Sequence, residues 1–430
     1  MTEQGASGRL LQGKPIGTAL FLLIAMWGFF GVGARPGALL ATIDEVKRHA
    51  IEANAVVNLL VASAAFAVLV VFWNFLASFL TPRKIFLGTV LLALPLFLTT
   101  PLLSTDVFAY GYYGKLLTAY HLNPYTIGQS ATIVDPFFAL TRAALPFQTT
   151  YGPLWVTITG VVSHFFGTHL WASVTAYRII GLASLLGVLC CLARLLRDHP
   201  KKHLALVLVG WNPVVLFEAV GGAHNDMFMT LFIVGALVSL RAKRNDLALL
   251  VMTAGILVKY IPILLLPFFL LNMWKPGNGT DRKKTLLGIG ASAIFIFAAF
   301  LPYWAGARIF RGILLLSAYT AAPLFSPLEL LRRAVSAFGL GVVDAYGVVR
   351  LVGVGAFLFL YLFLLLKKGS SPAIERTVAW VVVASMALLL LYFQPWYFLW
   401  LFPLIPFFHD RYWVPATLLV MVLAAGMYPL

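Results

Sequence analysis

Apolar residues run in long blocks from residue 15 to the C-terminus, and the short loops between them carry most of the Lys and Arg. A membrane-crossing helix needs about 20 predominantly apolar residues. On that measure the blocks 15–34, 55–80, 84–102, 171–195, 203–220, 226–241, 285–304, 345–366, 377–393 and 412–429 each predict a span. Three further apolar stretches, 153–168, 246–273 and 396–409, are not settled by length. Charge settles them, because Lys and Arg collect in the short inner loops.

Arg9 and Lys14 anchor the N-terminus inside, Arg83 and Lys84 lie inside after the second span, and the third span brings Asp106 outside. Arg194, Arg197, Lys201 and Lys202 belong inside again. One crossing therefore separates them from Asp106, so 171–195 crosses and 153–168 is expected along the outer face. The stretch 246–273 has basic clusters at both ends (Arg241, Lys243 and Arg244 before it; Lys275, Arg282, Lys283 and Lys284 after it) and must cross twice. Its break falls at Lys259-Tyr260-Ile261-Pro262, since Pro262 cannot continue a regular helix. Gln394-Pro395-Trp396-Tyr397 breaks the 377–409 stretch in the same way. The expected fold is an all-α integral membrane bundle of about 13 spans forming one domain over 1–430. It has a large outer loop at 103–170 and a second outer segment at 305–344.

Composition agrees. Hydrophobic residues make up 61% of the chain and charged ones 11%, against roughly 45–50% and about 25% in soluble chains. The net charge of +16 follows from the basic inner loops and does not require a nucleic-acid partner. The block at 15–34 shows no small-residue cleavage site, so it is expected to stay as the first span. Cys190 and Cys191 are adjacent in an apolar run and suggest neither a disulfide framework nor a metal site.

With so few charges, the ones at the outer face stand out. Topology gathers Asp106, His224-Asn225-Asp226, Lys259, Arg308 with Arg311, and Gln394 on one side of the membrane. At about 100° per residue, Tyr110 and Tyr113 share the face of Asp106, whereas Lys115 points away. Asp106 reads equally as a helix cap and as a reactive acid. His224 to Asp226 open the next helix and suit either capping or the binding of sugar hydroxyls. An intramembrane Lys259 is a functional candidate or a snorkelling side chain. Arg308 and Arg311 match phosphate oxygens or lipid headgroups. Tyr151, Trp396 and Tyr397 serve as interfacial anchors or sugar-stacking platforms. A divalent metal is the least favoured ligand, because Asp106 has no second carboxylate within two residues.

The stretches TDVFAYGYYGKL, HLNPY, YGPLW, WNPVVLFEAVGGAHNDMFM, LVKYIP and QPWYFLW occur in an order that resembles the GT-C fold of polyprenyl-phosphate-sugar-dependent glycosyltransferases. Within that fold the chain is most similar to the polyprenyl-phosphate-mannose-dependent mannosyltransferases of bacterial envelope synthesis. The resemblance implies a multi-pass enzyme of the plasma membrane with its active site on the extracytoplasmic face. It implies a polyprenyl-phosphate-linked sugar donor, a glycan or glycolipid acceptor, and Asp106 as catalytic base. It extends the substrate-binding set to Asn123 and Tyr125 of the HLNPY stretch. Two spans at 15–80 precede the acid-bearing loop where many relatives have one. A secondary transporter or flippase for lipid-linked sugars is the alternative, because broken helices and intramembrane charge mark those proteins too.

Overall fold

The computed structural model describes residues 53–71, 80–99, 104–127, 133, 135–141, 148–274, 282–312, 326–339, 341–367, 373–390 and 393–428. The predicted first span at 15–34 lies outside them. The described residues are helical, without a strand. Helices α1 (Ala53–Val71) and α2 (Pro82–Ala93) lead into α3 (Asp106–Thr118) and the short α4 (Pro136–Leu140). Next come α5 (Pro153–Phe166), α6 (Leu170–Leu195), α7 (Lys202–Gly210), α8 (Pro213–Leu216), α9 (Asp226–Arg241) and α10 (Asn245–Val258). The rest of the chain forms α11 (Leu266–Trp274), α12 (Arg282–Phe300), α13 (Pro327–Ala337), α14 (Val342–Lys367), α15 (Ile374–Leu388) and α16 (Trp413–Ala425).

One local device starts several of these helices. Thr81, Asp135, Asn212 and Ser326 each accept a backbone N–H of the first turn, and Pro82, Pro136, Pro213 and Pro327 follow at once. A polar cap satisfies a donor that the helix cannot, and Pro at the first position gives up an N–H that had no partner anyway. The device matters most at Asn212-Pro213. The block 203–220 reads as one continuous span, but α7 and the segment from Pro213 to Gly221 meet at a bend of 50°. Beyond α8 the backbone widens into a π-turn over Phe217–Gly221.

By length and composition, α6, the helix Arg282–Tyr303 and the helix Ala345–Lys367 suffice to cross a membrane. The bent pair makes a fourth if it counts as one span. Around them lie shorter apolar helices, α5 and α10 among them. Helices α6, α9 and α10 pack side by side at the centre, with α3 on α5 and α12 on α10. Helices α12 and α14 are different. They present Ile294, Phe297, Leu351 and Phe359 outward, each at least two-thirds exposed, as helices that face lipid do.

Both expected breaks are present. Helix α10 ends at Lys259, whose backbone is extended, and the chain restarts as a 3-10 turn over Ile261–Leu265 before α11. After α15 the chain continues in two 3-10 segments, Pro395–Trp400 and Phe402–Phe407, with no regular helix over 396–409. Pro395, Pro403 and Pro406 give the reason, since each removes a hydrogen-bond donor.

Gly152 joins the segment before α5 to the end of α10. Its N–H donates to Val258 O at 3.0 Å, and a Cβ there would lie 2.1 Å from Leu257 O. Only a bare backbone permits this approach, which sets Tyr151 beside Lys259. Gly152→Ala is expected to lower stability by roughly 1–3 kcal/mol, the scale of overpacking a close contact. Thermal unfolding in detergent checks this, and an unchanged midpoint would show that the loop absorbs the methyl group freely.

Candidate active site

Helix α3 starts at Asp106, and its carboxylate is not what caps it. The Asp106 N–H donates to Ser104 Oγ at 3.1 Å, and no side chain caps the helix from the preceding residue. The acid keeps 31% of its side chain exposed. Tyr151 O–H donates to Asp106 Oδ2 at 3.5 Å, and His224 Nδ1 lies 3.6 Å from the same oxygen. Burial pushes the Asp106 pKa up to about 6; Lys259 opposes that rise and Asp226 adds to it.

His224 reaches this position through a strained turn. Ala223 holds φ at +54°, a left-handed conformation that costs a residue with a Cβ about 1–2 kcal/mol. Such strain persists where its surroundings impose it, and often at functional sites. The turn delivers the imidazole flat onto Trp396, with centroids 4.0 Å apart and planes 12° apart. Its Nε2 lies 3.2 Å from Glu218 Oε2 in the π-turn. Burial and the nearby Lys259 push the His224 pKa well below its usual value, so the ring is neutral.

Asp226 opens α9 and is fully buried. Its Oδ1 accepts from Lys259 Nζ at 2.7 Å and from Trp400 Nε1 at 2.5 Å. Lys259 keeps 19% of its side chain exposed and sits over the rings of Tyr397 (4.7 Å) and Trp400 (5.4 Å). Lys259 is thus neither a snorkelling anchor nor an isolated cation. Beside it, the Asn225 side-chain amide is buried without a hydrogen-bond partner among the described residues, as is Asp226 Oδ2.

An aromatic wall completes the site. The Tyr110 ring meets Tyr151, Trp155 and Tyr177 edge-on at 5.1–5.7 Å, and Tyr113 lies 6.3 Å from Tyr151. Lys115 points away and pairs with Asp135. Asn123 and Tyr125 serve the scaffold. Asn123 Nδ2 donates to Tyr303 O at 2.8 Å, and the Tyr125 O–H donates to Tyr151 O at 2.8 Å. Gln394 is buried at the start of the 3-10 segment that carries Trp396 and Tyr397. Arg308 and Arg311 are exposed on either side of the buried Ile309. Their segment packs on the stretch before Tyr151, where Gly312 approaches the Gln148 and Thr149 carbonyls.

Sequence reasoning assigned no role to Arg178, Glu218 or Trp400. Arg178 is buried in α6, where it donates to Thr99 O (2.7 Å), Phe97 O (3.3 Å) and Gly221 O (3.1 Å). It therefore ties the segment before Asp106 to the turn before His224. A lone charge in an apolar block was the available signal for both Arg178 and Glu218. Among the described residues no group of three His, Cys, Asp or Glu is arranged to hold a metal ion.

Among known proteins the chain falls with the GT-C-type mannosyltransferases. More narrowly, residues 15–275 match the family model described as alpha-(1->6)-mannopyranosyltransferase, N-terminal domain, and the chain belongs to that family. The matched region includes Asp106, His224, Asp226 and Lys259 and stops short of the segment with Trp396, Tyr397 and Trp400. The chain is 28% identical to alpha-(1->6)-mannopyranosyltransferase A of Mycobacterium tuberculosis over 223 residues, 49% of this chain and 42% of that one. It is 26% identical to the enzyme of the same name from Corynebacterium glutamicum over 41% of this chain and 36% of that one. A probable alpha-(1->6)-mannopyranosyltransferase of Mycolicibacterium smegmatis is 25% identical over 71% of this chain and 62% of that one. The chain thus spans less than two thirds of each of these relatives. No solved structure matches it.

The Lys259–Asp226 pair makes a stability prediction. Lys259→Met should destabilise by roughly 3–5 kcal/mol, because it strands a buried carboxylate. Lys259→Met with Asp226→Asn should recover much of that loss. Thermal unfolding of the two variants decides it, and equal losses would show that the ion pair is not what Lys259 contributes.

Proposed function

We propose that this protein transfers mannose from a polyprenyl-monophosphate donor to a hydroxyl of an envelope glycan or glycolipid at the outer face of the plasma membrane. The observation that carries this reading is the state of Asp106. It is a carboxyl freed from capping by Ser104, open to the outer loop, and shifted to about 6. A base works best with a pKa near the operating pH, and a pKa of about 6 leaves it ionised at pH 7 while strengthening its hold on a proton.

In this mechanism Asp106 takes the proton of the acceptor hydroxyl as that oxygen attacks the anomeric carbon. The bond from that carbon to the phosphate oxygen breaks, and the polyprenyl phosphate leaves with the electron pair. Lys259 has three N–H donors and spends one on Asp226, so it can still offer donors to the leaving oxygen. Charge placed where charge develops lowers the barrier. Trp396, Tyr397, Tyr110, Tyr113 and Tyr151 offer ring faces and hydroxyls to the sugar, and Asn225 offers its unpartnered amide. Arg308 and Arg311, exposed on the neighbouring segment, attract the lipid-linked phosphate towards the site. Asn123, Tyr125 and Gln394 support these contacts from behind. Membership in a mannosyltransferase family supports transfer over the transport of lipid-linked sugars. The relatives' names give the linkage as alpha-(1->6), the first acceptor chemistry to try.

Purified protein supplied with labelled polyprenyl-phosphate mannose and an oligomannoside acceptor should transfer the label. Asp106→Asn keeps the size of the side chain, and it should cut turnover at least about 10²-fold. Since the base acts as a carboxylate, turnover should fall as pH drops through about 6 and level off above it. Near-normal turnover by Asp106→Asn, or a flat profile from pH 5 to 8, would remove Asp106 from the role of base.

A further inference from the structure

Behind the base lies a second acid that the mechanism above does not use. Glu218 is 1% exposed in the π-turn, and no Lys or Arg pairs with it among the described residues. An unpaired carboxylate at such a depth is costly, whereas a carboxyl group that keeps its proton and donates it is not. Among the described residues, the ionisable side chain within pairing distance is His224, with Nε2 3.2 Å from Glu218 Oε2. The imidazole is held flat by Trp396 on one face. It is crowded along its edge by Gly222, where a Cβ would lie 2.8 Å from His224 Cδ2. The ring can offer only its two nitrogens, one to each acid.

We propose that Glu218 and His224 are positioning residues for Asp106: the Glu218 O–H donates to His224 Nε2, which fixes the ring proton on Nδ1, and that N–H donates to Asp106 Oδ2. The 3.6 Å separation of Nδ1 from Oδ2 shortens when an acceptor orders the carboxylate, as catalytic hydrogen bonds commonly do. The inference rests on Asp106 being the base of the proposed reaction. No proton crosses the imidazole. The acceptor proton goes to the other oxygen of Asp106, and both supporting residues keep theirs.

A donor to the carboxylate favours its ionised form. It therefore opposes the burial that raises Asp106 above the usual carboxylate range. Other groups also face Asp106: Ser104 and Tyr151 by hydrogen bonds, and Lys259 and Asp226 by charge, in opposite directions. Lys259 also acts on His224. The charge on Lys259 is shared with Asp226, so it does not act on Asp106 alone. The π-turn supports this geometry, since such bulges occur often at functional sites. Here Gly181 lets α6 press against it, where a Cβ would lie 1.9 Å from Ala219 O.

The test is an infrared titration of the Asp106 carboxyl band, identified by its loss in Asp106→Asn, together with the dependence of kcat on pH. The wild-type midpoint should lie near 6. Glu218→Leu and His224→Phe should each raise it by roughly one unit, and His224→Phe keeps the stack on Trp396. Glu218→Gln keeps a donor and should leave the midpoint within about 0.3 unit. Turnover of the Leu variant should fall about fivefold at pH 6 and little at pH 8, with KM unchanged. Midpoints that stay near 6 in both the Leu and Phe variants would overturn the proposal, as would a Gln variant that shifts as far as the Leu variant. The infrared reading does not need turnover. Shifted midpoints in a protein that transfers no sugar would therefore defeat the proposed function while leaving the Glu218–His224–Asp106 arrangement standing.

Discussion

Arg178 carries a guanidinium into the middle of an apolar helix and meets no carboxylate among the described residues. Its charge is balanced by three carbonyl oxygens, two from the end of the segment before Asp106 and one from the turn before His224. Those two segments lie more than a hundred residues apart in the chain, and neither has a regular ladder to hold it. The fork geometry of arginine lets one side chain serve both. A single group on α6 therefore links the backbone at Phe97 and Thr99 to the turn at Gly221. Loss of that group would leave buried carbonyls unpaired, each at a cost of about 1–3 kcal/mol.

The second constraint is a balance of charge in a small volume. Two acids, Asp106 and Asp226, lie within electrostatic reach of one another and share a single lysine. Lys259 commits to Asp226 by direct contact, with Trp400 donating to the same oxygen. Asp226 is thereby held in a direct ion pair. Asp106 receives only the long-range part of the lysine's field and remains the acid that can exchange a proton near neutral pH. Two carboxylates with different surroundings thus take different roles, which is how acid and base assignments separate in general.

Much of this architecture was legible in the residue pattern. The break at Lys259 followed from Pro262 and from basic clusters at both ends of one apolar stretch. The break near Gln394 followed from Pro395. The opposite orientation of Lys115 followed from helical spacing alone, and its pairing with Asp135 agrees. The bend at Trp211 was hidden, because apolar residues continue through it without interruption, although Asn212-Pro213 is the same cap-and-proline device seen elsewhere. The role of Trp400 was beyond reach, because it depends on a contact between residues 174 positions apart. Asn123 and Tyr125 show the converse limit. A motif marks a place near the site, but only packing decides whether a side chain faces the ligand or the scaffold.

The site sits where helices stop, and that follows from the solvent. Within an apolar bundle every backbone group needs a partner from its own helix, so a polar ligand finds no backbone to approach along the middle of a span. Here α3 and α9 begin, α10 ends, and the 3-10 segment from Pro395 starts, all around the same few side chains. Each terminus exposes backbone groups and turns a side chain inward, and each is held by a specific contact: Ser104 at α3, the left-handed Ala223 before α9, and Gly152 against the end of α10. The aromatic residues between them exclude water while presenting ring faces and hydroxyls. Charged side chains and aromatic rings thus meet in one small volume, which no regular stretch of the bundle could bring about.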